Sequence, residues 1–273
     1  KVKAADYCFY DLVPESFLIQ YFGTKCKIIE YILSNFDKPS NYNFLLELRK
    51  LLLDIQNNRL NLKISELNNQ MQKYKTRRFR EKMTEMPSHV SYNLFGTITG
   101  RLTTKKQSFP MLTLDKDFRS IVVPNNDFFF EVDFNGAELR CLLALNNTEQ
   151  PSEDIHAWNM ENVYGGKISR EDAKKRIFAW LYNLESKDHL SNRVYSRDEL
   201  LNKYWDGESI TNPFGRKIKC DKFHAINFLI QSTTSDIFLR RAIEVNKLLK
   251  NLMYKTLLLN VLVIENLLKL CKI

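Results

Sequence analysis

Asp133 stands at the end of a hydrophobic run, Phe128 to Val132, and just before the turn residues Asn135 and Gly136. A carboxylate there is held by a rigid element yet opens at its edge, which suits a hard cation such as magnesium. The ordinary alternative is a turn residue, since Asp and Asn are common where strands end. Arg170, Lys174, Phe178 and Tyr182 recur at four-residue intervals. Successive members rotate by about 40° on an α-helix, so the four make a slowly drifting ridge. Two cations followed by two aromatics could grip a triphosphate at one end and stack a base at the other. The same spacing fits a charged helix that happens to bury two aromatics. Asn227 and Gln231 lie one helical turn apart, with both amides on one side, where they could donate to minor-groove acceptors. A polar helix surface is the plainer account of that stretch, Asn227 to Asp236. His156, in Asp154-Ile-His156, is one of four histidines, and a lone histidine is usually structural. No nucleophile and base are paired beside it, so hydrolase chemistry is not indicated.

The elements that must position these residues are legible in outline. Residues 14–83 read as helices: Phe17, Leu18, Tyr21, Phe22, Ile28, Ile29 and Tyr31 recur at roughly helical spacing. A second amphipathic stretch runs from Tyr42 to Gln56. Lys73 to Lys82 carries six basic residues and one acidic one. It is either a solvated helix face or, with Tyr74 and Phe79 interleaved, a nucleic-acid surface. From about residue 87 the chain changes character, as Pro87, Gly96, Gly100 and Pro110 punctuate strands and turns. Phe128 to Val132 reads as a buried strand and Ala137 to Asn146 as a short helix. Ser169, with Asp172 three residues on, is an acidic variant of the capping box and starts a stronger helix. Residues 184–215 are polar, with Gly207, Pro213 and Gly215. A long helix is expected from Asp221 to Leu249, then a β-like run from Leu257 to Ile264. There is no internal repeat.

With 273 residues, 44% of them hydrophobic, the chain can bury a sizeable core. The first residue is Lys1 rather than Met, which points to a piece of a longer chain. No signal peptide is visible, and the run Leu257 to Ile264 is far too short to span a bilayer, so a soluble, cytoplasmic protein with no membrane partner is expected. Cys8, Cys26, Cys141, Cys220 and Cys271 are scattered without zinc-ligand spacing and read as free thiols. The net charge of +9 suits a polyanionic partner such as nucleic acid. Neither a dinucleotide-binding glycine motif nor a P-loop is present, so any phosphate chemistry must use other devices.

In order, these segments resemble the motifs of family A DNA polymerases of phage type. Thr99-Gly-Arg101-Leu-Thr103 resembles the T-G-R-L-[ST] segment, followed by Phe109-Pro110 and Arg119. Asp133-Phe-Asn-Gly-Ala-Glu138-Leu-Arg140 resembles motif A, and Asp154-Ile-His156 the D-I-H of the fingers. Arg170, Lys174, Phe178 and Tyr182 match motif B. Thr211 to Arg216 resembles the segment leading back to the palm, and Asn227 and Gln231 match the following N-x3-Q. The set spans roughly residues 87–240.

The resemblance implies a helix-rich α+β right hand: a helical thumb (1–86), a palm with motif A (87–146), fingers with motif B (147–216), and a return to a C-terminally truncated palm (217–273). It implies that Asp133 and the Phe134 carbonyl bind two Mg2+ ions, with Mn2+ able to substitute. Asp133 and Lys174 would be catalytic. Glu138, His156, Arg170, Lys174, Phe178 and Tyr182 would bind the deoxynucleoside triphosphate, with Glu138 beneath the sugar. Arg101, Arg216, Asn227 and Gln231 would contact primer-template DNA. A processivity factor is a further conceivable partner, and a phage source would place the protein in the host cytoplasm.

Several positions depart from the family pattern. Motif A usually reads Tyr-Ser-Gln-Ile where this chain has Phe134-Asn-Gly-Ala137; Asn183 replaces a glycine, and Phe223 an arginine. The His-Asp of motif C is missing between Leu258 and Glu265, and Glu265 is a weak substitute. The expectation is therefore template-directed DNA synthesis, impaired by that loss. The alternative is a non-catalytic remnant that still grips primer-template. A nuclease finds no support, because the first hundred residues contain no D-x-E.

Overall fold

The computed structural model describes residues 9–125, 129–251, 257–261 and 268–271. Glu265 and the end of the expected β-like run, up to Ile264, lie outside them. The described elements, in chain order, are α1 (Phe9–Leu12), α2 (Glu15–Asn35), α3 (Tyr42–Asn57), α4 (Tyr74–Met83), β1 (Tyr92–Asn93), β2 (Thr103–Thr104), β3 (Phe129–Val132), α5 (Ala137–Leu145), α6 (Ile155–Asn162), α7 (Arg170–Tyr182), α8 (His189–Tyr195), α9 (Arg197–Tyr204), β4 (Ser209–Thr211), β5 (Lys217–Lys219), α10 (Lys222–Asn251), β6 (Leu257–Val261) and β7 (Leu268–Cys271). The chain divides into two compact units, one ending at Asn43 and the other beginning at Phe44. Within the first, α2 buries none of its side chains.

The larger unit is a helix-rich α+β assembly with two hydrophobic cores. The first joins α3, the turn around Leu67, Met83, Val90, Tyr92, Phe109, Phe118 and Ile121 to Phe238, Leu239, Ala242 and Ile243 of α10. α4 closes onto this core through Phe79, whose ring stacks on Phe118 with centroids 4.1 Å apart. The second gathers Leu139, Leu142 and Leu143 of α5, Ile155 of α6, Ile177, Trp180 and Leu181 of α7, and Tyr195 and Leu200 with Ile226, Leu229 and Ile230 of α10. One helix thus serves both cores from its two halves.

Between those halves the run Ser232, Thr233, Ser235, Asp236 is buried. This corrects the expectation of a polar helix surface along the whole stretch Asn227 to Asp236. The hydroxyls of Ser232 and Thr233 donate back to the Leu229 carbonyl at 3.2 and 2.7 Å, which satisfies them inside the protein.

A three-stranded antiparallel sheet has the order β3-β7-β6. β3 pairs with β7 from Phe129↔Cys271 to Val132↔Leu268. The strand that ends before Asp133 is therefore an edge of this sheet, and its partner β7 lies late in the chain. Ser169 caps α7 by accepting from the Asp172 N–H at 3.1 Å. Its hydroxyl also donates to the Asp172 carboxylate at 2.7 Å, so the two side chains pair directly. Residues 184–215 are more ordered than their polarity suggests: α8, α9 and the β4–β5 hairpin all fall there or just after. No helix among the described residues is long and apolar enough to cross a membrane.

Candidate functional site

β3 delivers Asp133 and Phe134 to the surface, and the chain then turns through Asn135-Gly136 into α5. Phe134 meets Phe238 of α10 edge-on, with centroids 6.1 Å apart. Glu138, in the first turn of α5, is buried. It accepts from Arg101 Nη2 at 3.1 Å on one oxygen and from the Tyr182 hydroxyl on the other. The loop carrying Arg101, the start of α5 and the end of α7 therefore meet on one carboxylate.

On the other side of the turn, Asp154 caps α6 by accepting from the N–H groups of His156 and Ala157 at 3.1 and 2.9 Å. Asn135 ties the turn to that cap, donating from Nδ2 to Asp154 at 2.7 Å and accepting from the Ile155 N–H at 2.8 Å. Arg140 reinforces the link, donating to the carbonyls of Asn135, Pro151 and Glu153 at 2.7–2.8 Å. Arg170, the first residue of α7, closes the ring with a two-pronged ion pair to Asp154, both contacts at 2.9 Å. That guanidinium holds the Asp154 carboxyl well below the usual carboxylate range.

These elements enclose a pocket of about 160 Å³ lined by Asp133, Asn135, Gly136, Ala137, Glu138, Asp154, His156, Arg170, Lys174 and Phe178. The volume falls below the roughly 300–1,000 Å³ typical of pockets for whole drug-sized ligands, so it accommodates a charged part of a ligand. The wall continues as an aromatic surface: Phe178 stacks on Tyr182 at 6.1 Å with planes 8° apart, and the His156 ring lies 5.9 Å from Phe178. Burial pushes the His156 pKa down, so at neutral pH the ring offers hydrogen bonds rather than charge. His156 Nδ1 and Arg101 Nε are buried without a hydrogen-bond partner. Such groups cost about 1–3 kcal/mol each when left unmet.

The structure thus brings Asp133, Glu138, His156, Arg170, Lys174 and Phe178 into one pocket, with Tyr182 and Arg101 attached through Glu138. Arg216, Asn227 and Gln231 are not among its lining residues. Arg216 is instead clamped on buried Asp236, Nε at 3.1 Å and Nη2 at 2.7 Å, with Asn212 donating to the same carboxylate at 2.8 Å. The side chains of Gln231 and Asn227 bond to each other at 2.6 Å, half-buried on α10. Sequence reasoning gave no role to Asn135 or Arg140, and none to Asp154 beyond its motif. Their partners lie 5 to 20 residues away, and the only hint was that Asn135 departs from the family pattern.

Among the described residues, no three His, Cys, Asp or Glu side chains are placed to hold a metal ion. Of the pocket carboxylates, Glu138 is committed to Arg101 and Tyr182, and Asp154 to Arg170, Asn135 and two amides. Asp133 lines the same pocket, and the described donors do not complete a two-ion site.

No family model and no curated protein matches this sequence. Among solved structures, 71% of the chain superposes on the polymerase domain of Pol1 from M. smegmatis, in complex with DNA primer-template and dNTP, with a TM-score of 0.58 and 14% identity. The chain spans 44% of that protein's length. At this identity the likeness is one of fold.

Proposed function

We propose that this chain is the polymerase portion of a family A DNA polymerase of phage type, which binds primer-template DNA and adds deoxynucleotides to the primer 3′ end. The observation that carries the reading is the pocket at the end of β3, where Asp133 shares one cavity with Arg170, Lys174 and His156 beneath a stacked aromatic wall. The fold likeness supports it, since that neighbour was solved with primer-template and dNTP.

On this reading Arg170 and Lys174 neutralise the triphosphate, and the His156 ring, which lines the pocket, hydrogen-bonds to it. The pocket takes the phosphates, while the base lies against Phe178 and Tyr182. Glu138, pinned by Arg101 and Tyr182, forms the floor under the sugar. Asp133 and the Phe134 carbonyl would hold Mg2+ or Mn2+, whose chemistry is to activate the primer hydroxyl and neutralise the leaving pyrophosphate. Arg101, Asn227 and Gln231 would face the duplex, with residues 1–86 as thumb, 87–146 and 217–273 as palm, and 147–216 as fingers.

One observation favours a second reading. The sequence lacks the His-Asp pair of motif C that the resemblance leads one to expect, as a non-catalytic primer-template binder would. Single-turnover extension of a primer-template, with excess protein and one correct nucleotide in Mg2+ and then Mn2+, separates the two. Polymerase function predicts incorporation that falls about a thousandfold or more in Asp133→Asn, the effect of losing roughly 4 kcal/mol of transition-state stabilisation. Salt-sensitive DNA binding with no incorporation in either metal would leave the binding reading.

A further inference from the structure

Inside this pocket a carboxylate is clamped on one of the cations. Arg170 Nε and Nη2 both donate to Asp154 at 2.9 Å, and Nη1 donates to Glu171 at 2.8 Å. A guanidinium fork meets a carboxylate and a phosphate with the same two-pronged geometry, so the two anions compete for one face. Asp154 does not depend on Arg170 for its place. Asn135 Nδ2 and the N–H groups of His156 and Ala157 donate to it as well. Three donors would remain if Arg170 turned away, and the Arg170 side chain is 44% exposed on the first turn of α7, with room to do so.

We propose that Asp154 is a phosphate stand-in: in the unliganded pocket it occupies the face of Arg170 that a nucleotide phosphate takes, and this exchange sets the nucleotide affinity. The inference rests on the pocket being a nucleotide site. It makes Asp154 a positioning residue that acts through Arg170. With carboxylates on both sides, the guanidinium presents little net positive charge until a phosphate displaces Asp154. The exchange holds Arg170 over the pocket when no ligand is there, and a ligand must carry enough negative charge to win it.

The test is equilibrium titration of the whole chain with a deoxynucleoside triphosphate, and with inorganic tripolyphosphate as a probe lacking base and sugar. Four proteins are compared: wild type, Asp154→Asn, Arg170→Gln and the double variant. Asparagine keeps the cap on α6, so the fold should survive. The expected result is that Asp154→Asn binds both probes about three- to fivefold more tightly, the scale of one partly exposed ion pair. In the Arg170→Gln background the same substitution should gain less, because no guanidinium remains to be released. A purely structural Asp154 would weaken binding when altered, so unchanged or weaker binding by Asp154→Asn overturns the proposal while the pocket reading stands. Wild-type binding that Arg170→Gln leaves unchanged, or no binding by any of the four, overturns both.

Discussion

Gly136 sits at φ +60° where the turn enters α5, and a methyl group there would lie 2.2 Å from Ile155 Cγ2. Only glycine meets both demands, a left-handed backbone and close approach to α6. Gly136→Ala should therefore lower stability by about 1–3 kcal/mol, from backbone strain and the forced shift of Ile155. Because Ile155 precedes His156, triphosphate binding should weaken in parallel. Gly165, at φ +64° with nothing within 4 Å, provides the comparison. Gly165→Ala should show only the backbone part, about 1 kcal/mol, and leave binding unchanged. Chemical denaturation and equilibrium titration on both variants measure this, and equal losses in both would remove the packing argument. At this scale the sequence was readable for residue types and blind to partners. Asp133, Arg170, Lys174 and Phe178 could be picked out by position. That Asp154 would hold Arg170, or that Asn135 would bridge turn and cap, depends on contacts 16 and 19 residues apart.

α7 shows how an element aims the residues it carries. Ala173, Ile177, Trp180 and Leu181 are buried, which leaves Arg170, Lys174, Phe178 and Tyr182 on the side toward the pocket. The period of 3.6 made this helix legible, along with α3, α5 and α10. It could not show α8, α9 or the β4–β5 hairpin, because short elements rich in polar residues carry too little periodicity to register. Arg197 is the clearest loss, since a charged residue in a polar stretch reads as surface. It is 5% exposed, and it fastens the end of α7 by donating to the carbonyls of Trp180, Asn183 and Leu184 at 2.5–3.1 Å. Its guanidinium also lies 4.9 Å from the Trp180 ring. Those carbonyls belong to the last turn of the helix and just beyond, where no intrahelical donor reaches them. Arg197→Met keeps much of the volume and removes every donor, so it should cost about 2–4 kcal/mol. Arg197→Lys should recover part of that. The denaturation midpoint reads both, and a neutral Arg197→Met would show that the carbonyls find other donors.

For the molecule as a whole, α10 decides whether the two cores of the larger unit behave as one. It has 30 residues, about 45 Å at 1.5 Å per residue. Ala225, Ile226, Leu229 and Ile230 lie in the core that backs the pocket, while Phe238, Leu239, Ala242 and Ile243 lie in the other. Buried Asp236, held by Arg216 and Asn212, pins the β4–β5 hairpin to the stretch between them. Half a helix cannot melt without removing the wall of the second core, so the two should unfold in one transition. The protein carries its own reporter for this. All three tryptophans belong to the core behind the pocket: Trp180 is buried in it, and Trp158 and Trp205 pack against it. Leu239→Ala removes apolar volume only from the other core and should cost about 2–5 kcal/mol. If α10 couples them, tryptophan fluorescence will register that loss in full, and its midpoint will move together with the far-ultraviolet dichroism. A fluorescence transition left in place while the dichroism splits would mean that each core holds its own half of the helix. The pocket would then stay folded without the core beside it.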